Sequence, residues 1–148
     1  MNPPLRTKAD RDGLLEGLLD GTFDLIATDH APHTPFEKSL DFVSAPNGIT
    51  GLETALVSLH HHFIVPGIFG WDLLTKRYSA EPRRMMGLPA ASIAVGQAAD
   101  LILFDPEKTT TFTADWMKSK SSNTPFLNKS LQGSVDFVML GSEILLER

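Results

Sequence analysis

Apolar positions recur at helical spacing over the first part of the chain and at strand spacing over the last. Between Ala9 and Asp20, Leu14, Leu15, Leu18 and Leu19 form one stripe against a charged face, which predicts a helix. Gly21 is its expected C-cap. Phe23 to Thr28 is a short apolar run of the kind that forms a buried strand, and the spacing predicts further helices over Leu52–Phe63 and Trp71–Ser79. A last helix should start near Pro82, a residue suited to a first helical turn, and stop at Gly87. After the turn-rich Gly87-Leu88-Pro89 and Gly96-Gln97, β-like runs follow at Asp100–Asp105, Thr109–Thr113, Ser134–Leu140 and Glu143–Glu147. The last two face each other across Gly141-Ser142 as a closing hairpin. The pattern predicts an α/β part over residues 1–90 and a smaller β region over 91–148.

One segment does not fit a compact connection. Residues 31–50 hold Pro32, Pro35 and Pro46, and the run reads as a long irregular loop. Loops of that length inside a compact domain are uncommon unless they bind something.

Composition narrows the partners more than the fold. At 148 residues the chain offers one domain, or slightly more, with 42% hydrophobic and 21% charged residues. Its net charge of −5 and the isolated pairs Arg83-Arg84 and Lys118/Lys120 give no basic patch for nucleic acid. Cysteine is absent, which rules out disulfides, thiolate catalysis and cysteine zinc sites. No apolar run approaches the ~20 residues of a membrane span, and the start of the chain lacks a signal-peptide core. Cytoplasm is the default expectation.

The candidate chemistry sits where the Phe23–Thr28 run ends. Ala27-Thr28-Asp29-His30-Ala31-Pro32-His33 places an acid between imidazoles at the C-terminal end of a buried run, just before a proline that stops strand pairing. α/β enzymes place reactive groups there, because the strand fixes the backbone while the loop stays open to ligand. Side chains alternate along a strand, so Asp29 and His30 face opposite ways and His33 is free to turn back. On this reading Asp29 faces a site and His30 packs behind it. The run His60-His61-His62 does not make a metal site, because successive residues on a helix point ~100° apart. Trp71, Trp116 and Met85-Met86 read as core.

Taken together the motifs resemble a known family. Met1-Asn2-Pro3-Pro4-Leu5-Arg6, the Ala27–His33 run, Glu37-Lys38 and Ala45-Pro46-Asn47-Gly48-Ile49-Thr50-Gly51-Leu52-Glu53-Thr54-Ala55-Leu56 are similar to dihydroorotases of the bacterial type, in the amidohydrolase superfamily. Val95 to Asp105 resembles the strand by which such enzymes return to a β-sandwich, and Lys120-Ser121-Ser122-Asn123-Thr124-Pro125-Phe126 a late motif of the same family. The resemblance covers the whole chain but only the last third of the family's length. It implies the C-terminal portion of a metal-dependent (β/α)8 TIM barrel, followed by strands of a small β-sandwich. A whole barrel typically takes ~250 residues or more, so the expectation is a C-terminal segment, inactive alone, that partners the N-terminal remainder of the barrel.

The resemblance also implies roles. Asp29 would ligate zinc, which lowers the pKa of bound water to about 7, and would shuttle a proton during attack on a cyclic amide. Asn2 and His33 would meet the substrate, as would the backbone at Ala45, Pro46 and Gly48. An aromatic residue is frequent in the family where Asn47 stands. The implied reaction is the zinc-dependent, reversible cyclisation of N-carbamoyl-L-aspartate to dihydroorotate in pyrimidine biosynthesis. Allantoinase and dihydropyrimidinase share the scaffold, and a homodimer or a complex with aspartate carbamoyltransferase is among the assemblies the family allows. A non-catalytic dihydroorotase-like scaffold for aspartate carbamoyltransferase is the alternative from another class. The retained Asp29, His33 and Asn2 argue against it.

Overall fold

The structure, a computed structural model, describes residues 1–148. Helix α1 (Lys8–Asp20) starts at a reciprocal cap. The Thr7 hydroxyl accepts the Asp10 N–H, and the Asp10 carboxylate accepts the Thr7 N–H at 2.9 Å. Gly21 ends the helix in the left-handed region at φ 96°. The leucine stripe is there, but it is not covered. Leu14 is 61% exposed, Leu15 and Leu18 are half-buried, and only Gly17 is buried, beneath the Phe23 ring.

Phe23–Thr28 forms no strand, against the sequence expectation. The Phe23 N–H donates to the Gly17 carbonyl, and the Ile26 N–H to the Arg77 carbonyl, each at 2.9 Å. Buried Arg77 also donates its guanidinium to the Asp24 carbonyl at 3.2 Å. The N–H groups of Leu25, Ala27 and Thr28 donate to nothing in the chain. The physical reason is plain: no other strand of the chain lies beside this segment, so its apolar run has no ladder to join.

The 31–50 segment contains one short helix, α2 (Pro35–Lys38), capped by Thr34 and Glu37 as α1 is by Thr7 and Asp10. Helix α3 (Leu52–Leu59) runs on into a π-helical turn at His60–Ile64. The two helices expected around Trp71 and Pro82 are one continuous rod. Helix α4 (Trp71–Thr75) passes through a π-helical turn at Lys76–Ala80 into α5 (Glu81–Met85). Met85 and Met86 are 57% and 76% exposed, so they are not the core pair the sequence suggested. No helix is long and apolar enough to cross a membrane.

One antiparallel sheet, in the order β1-β2-β3, closes the fold: β1 (Leu101–Thr111), β2 (Ser130–Leu140) and β3 (Glu143–Glu147). The two runs expected at 100–105 and 109–113 are a single strand, interrupted by an irregularity between Asp105 and Thr109. Pro106, which cannot donate to a ladder, sits in that interruption. The hairpin across Gly141-Ser142 forms as expected, with Gly141 at φ 61°.

The core joins the middle of the chain to its last third. Val57 on α3 packs with Phe112 and Leu131, flanked by Phe104, Trp116 and Phe126. His60 and His61 fasten the same helix to β2. His60 Nδ1 bonds the Gln132 carbonyl at 3.0 Å, and His61 Nδ1 accepts the Gln132 N–H at 3.1 Å. The His60 ring is buried between Trp71 and Phe104, with centroids 5.4 and 5.0 Å away. Two of the three consecutive histidines thus serve the helix–sheet junction.

Candidate functional site

Asp29 stands where the chain leaves the Phe23–Thr28 segment, and its backbone is one of two non-glycine positions with positive φ, at 47°. That conformation costs free energy in an L-residue, though aspartate tolerates it better than most. Its side chain is exposed and makes no hydrogen bond. The neighbouring His30 does face elsewhere. Its Nδ1 accepts the N–H groups of Gly51 and Leu52 at 3.1 and 3.3 Å, capping α3 where the N-cap Gly51 has no side chain to do so. An accepting Nδ1 requires the neutral ring with its proton on Nε2.

His33 turns back, as the sequence suggested, and meets Gly48. A Cβ built on Gly48 would lie 2.7 Å from the Ala31 Cβ and 3.3 Å from His33 Nε2, and Gly48 sits at φ 117°. Only glycine fits this contact. His33 Nδ1 lies 3.9 Å from the Glu37 carboxylate. Hydrogen bonds from the Thr34 backbone and hydroxyl, and then His33, hold Glu37 below the usual carboxylate range.

The Ala45–Thr50 run is tied down at successive peptides. Lys38 Nζ donates to the Pro46 carbonyl at 2.7 Å and to the Gly48 carbonyl at 3.1 Å. Asn123 Nδ2 donates to that same Gly48 oxygen at 3.1 Å. The Ile49 carbonyl accepts the Ala31 N–H, and the Thr50 N–H donates to the Asn123 carbonyl, both at 2.9 Å. Upstream, the Ala45 N–H bonds the Asp41 carbonyl at 2.8 Å. The Asp41 side chain accepts from Val43 and Ser44, and these bonds, Ser44's first, keep its carboxyl low. Glu53, at the start of α3, accepts the N–H groups of Lys118 and Ser119 and so fixes the chain just ahead of the Lys120–Phe126 stretch.

The structure therefore brings His33, Pro46 and Gly48 together, with Ala45 half-buried at the near end of the same loop. Asn2 is exposed and its side chain bonds nothing. Its neighbour, the Met1 ammonium, lies 3.5 Å from Asn47 Oδ1, which keeps that end of the chain near the loop. Lys38 and Asn123 carried no role in the sequence reading. Both belong to the family-like runs Glu37-Lys38 and Lys120–Phe126, but their partners are main-chain carbonyls, which no side-chain pattern records.

Asp29 is free to act as one ligand, yet no three histidine, aspartate or glutamate side chains gather anywhere in the chain to hold a metal ion. These residues do not make a zinc site by themselves.

The sequence profile of the amidohydrolase family matches residues 3–145. A dihydroorotase from Bacillus caldolyticus is 44% identical over 148 residues, all of this chain and 35% of that protein. A dihydroorotase from Bacillus subtilis (strain 168) is 47% identical over 133 residues, 90% of this chain and 31% of that protein. Among solved structures, a D-hydantoinase (dihydropyrimidinase) from Thermus sp. superposes with a TM-score of 0.88 at 26% identity, over 99% of this chain and 33% of that one. An L-hydantoinase (dihydropyrimidinase) from Arthrobacter aurescens gives 0.87 at 27% identity, over 98% and 33%. The chain spans about a third of the length of the curated relatives it matches.

Proposed function

The chain belongs to the amidohydrolase family, and on that premise we propose that it is part of a dihydroorotase, a cyclic amidohydrolase interconverting N-carbamoyl-L-aspartate and dihydroorotate. One observation carries the reading: Asp29 is held in a costly left-handed backbone, at the mouth of a loop, with a carboxylate that no group in the chain occupies. Strain kept without a structural partner points to a ligand. The higher identity to dihydroorotases than to the hydantoinase structures favours the first substrate over the second.

On this reading the Phe23–Thr28 segment is a barrel strand whose neighbours lie outside these residues. The unpartnered N–H groups of Leu25, Ala27 and Thr28 and the uncovered face of α1 support it. Asp29 would be one of the residues holding a metal, and its free carboxylate is placed to carry a proton between water and the ring nitrogen. Zinc, when bound with ligands from elsewhere, supplies an activated water near neutral pH. His33 and Asn2 donate to the substrate's anionic groups, and the backbone at Ala45, Pro46 and Gly48 forms the wall beside them.

The test is turnover of dihydroorotate, with hydantoin and dihydrouracil as competing substrates, by the intact protein that carries this chain. Asp29→Ala should lower kcat by about 10²–10⁴-fold, the usual worth of a positioned proton carrier. The 148 residues alone should neither turn over nor bind stoichiometric zinc. Robust turnover by Asp29→Ala, or hydantoin as the preferred substrate, overturns the assignment.

A further inference from the structure

In the loop that follows Ala45, three of the four carbonyls from Pro46 to Ile49 have donors, while the N–H groups of Asn47, Gly48 and Ile49 have no acceptor. The bonded carbonyls are those of Pro46, Gly48 and Ile49, and the Gly48 oxygen has two donors. The asymmetry has a direction. In a trans peptide the carbonyl and the following N–H point opposite ways. With the Pro46 oxygen drawn to Lys38, the Asn47 N–H points away from Lys38. With the Gly48 oxygen drawn to Lys38 and Asn123, the Ile49 N–H points away from both.

We propose that Lys38 and Asn123 are positioning residues that hold the 46–49 loop as a fixed row of N–H donors for an oxygen-rich, anionic substrate. The proposal rests on the functional reading above and adds to it the two side chains that set the loop's orientation. Lys38 is suited to the task for a further reason. No carboxylate lies within ion-pairing distance of its ammonium, so its charge acts on two peptide groups alone. A cation bonded to a carbonyl polarises that peptide and strengthens the N–H at its other end as a donor. Asn123 brings the C-terminal part of the chain into the site. Its side chain holds Gly48 while its own carbonyl, independent of side-chain identity, holds Thr50.

Lys38→Met keeps the length of the side chain and removes both donors. In the intact protein it should raise KM for dihydroorotate about tenfold or more while kcat stays within about threefold, because a row of donors serves ground state and transition state alike. Lys38→Arg should recover part of that loss. Asn123→Ala should shift KM in the same direction by a smaller factor. Hydrogen exchange at Ala31 and Thr50, whose N–H groups close the loop's backbone bonds to the Ile49 and Asn123 carbonyls, should quicken in Lys38→Met, measured without substrate, while zinc content and melting temperature hold. Unchanged KM in Lys38→Met, with Asp29→Ala inactive, overturns the positioning role and leaves the dihydroorotase reading standing. Faster exchange without a KM effect also overturns it, as does a parallel fall in kcat and melting temperature that Lys38→Arg does not relieve. Full turnover by Asp29→Ala removes the functional reading, and this role with it.

Discussion

Two apolar runs of similar character meet different fates in this chain. Ser134–Leu140 lies inside β2, bonded on one side to β1 and on the other to β3. Phe23–Thr28 has three N–H groups with nothing to bond and forms no strand at all. The difference lies in the neighbours more than in the side chains. An antiparallel hairpin carries its partner a few residues away, whereas a strand of a parallel sheet waits for a partner delivered by a crossover. The C-terminal part is thus stabilised by contacts within the chain, while the N-terminal part offers faces and edges that remain open.

The sharpest way to break that contrast is to empty the core that the sheet closes. Phe112 is wholly buried against Val57, Leu131, Trp116 and Phe126. Phe112→Ala should cost about 3–5 kcal/mol, read as a lowered midpoint in denaturant unfolding. A cost below about 1 kcal/mol would mean that the sheet and α3 do not share a working core, and the contrast between the two regions would disappear.

The limits of sequence legibility follow the same division. Helix α1 with its Gly21 stop and the β2–β3 hairpin were readable because each depends on residues close in sequence. Phe23–Thr28 misled because apolar runs report burial and say nothing of whether a partner strand is present. Met85 and Met86 misled in the same way. At the site, the sequence left His33 free to turn but did not name Gly48 as the residue it meets, because that contact joins positions fifteen residues apart. The grip of Lys38 and Asn123 was not legible either, because main-chain carbonyls carry no residue identity.

A gentler probe of the self-sufficient region is pH. Asp136 on β2 bonds Lys108 and Ser134, and these contacts, Lys108's first, hold its carboxyl below the ordinary 3.8. A depressed carboxylate stabilises the fold above its unfolded value, and that contribution is lost as pH falls through the lower folded value. Lys108 is the mirror case. Asp136 raises it above 10.5, so its contribution is complete below that value and is lost as pH rises through the folded one. Both groups are at the surface, so the effect is modest. Asp136→Asn should remove the acid-side step, with the unfolding midpoint becoming flatter below pH 3.8. An unchanged acid profile would take the ion pair out of the sheet's stability.

The smallest expected effect tests the open region most directly. Leu14 sits on the uncovered face of α1, 61% exposed, at the edge of an apolar groove with Leu15, Leu18, Ile26, Phe63 and Phe69. Leu14→Gln keeps helix propensity and volume, so in the 148-residue chain it should shift stability by no more than about 0.5 kcal/mol. The same change in the intact protein should cost about 1.5 kcal/mol or more, if other barrel elements lie on that face and bury the side chain. The difference between the two measurements, more than either alone, reports whether the face is covered. Equal, near-zero shifts would mean that it stays in water even in the intact protein, and the barrel reading of Phe23–Thr28 would lose its main physical support.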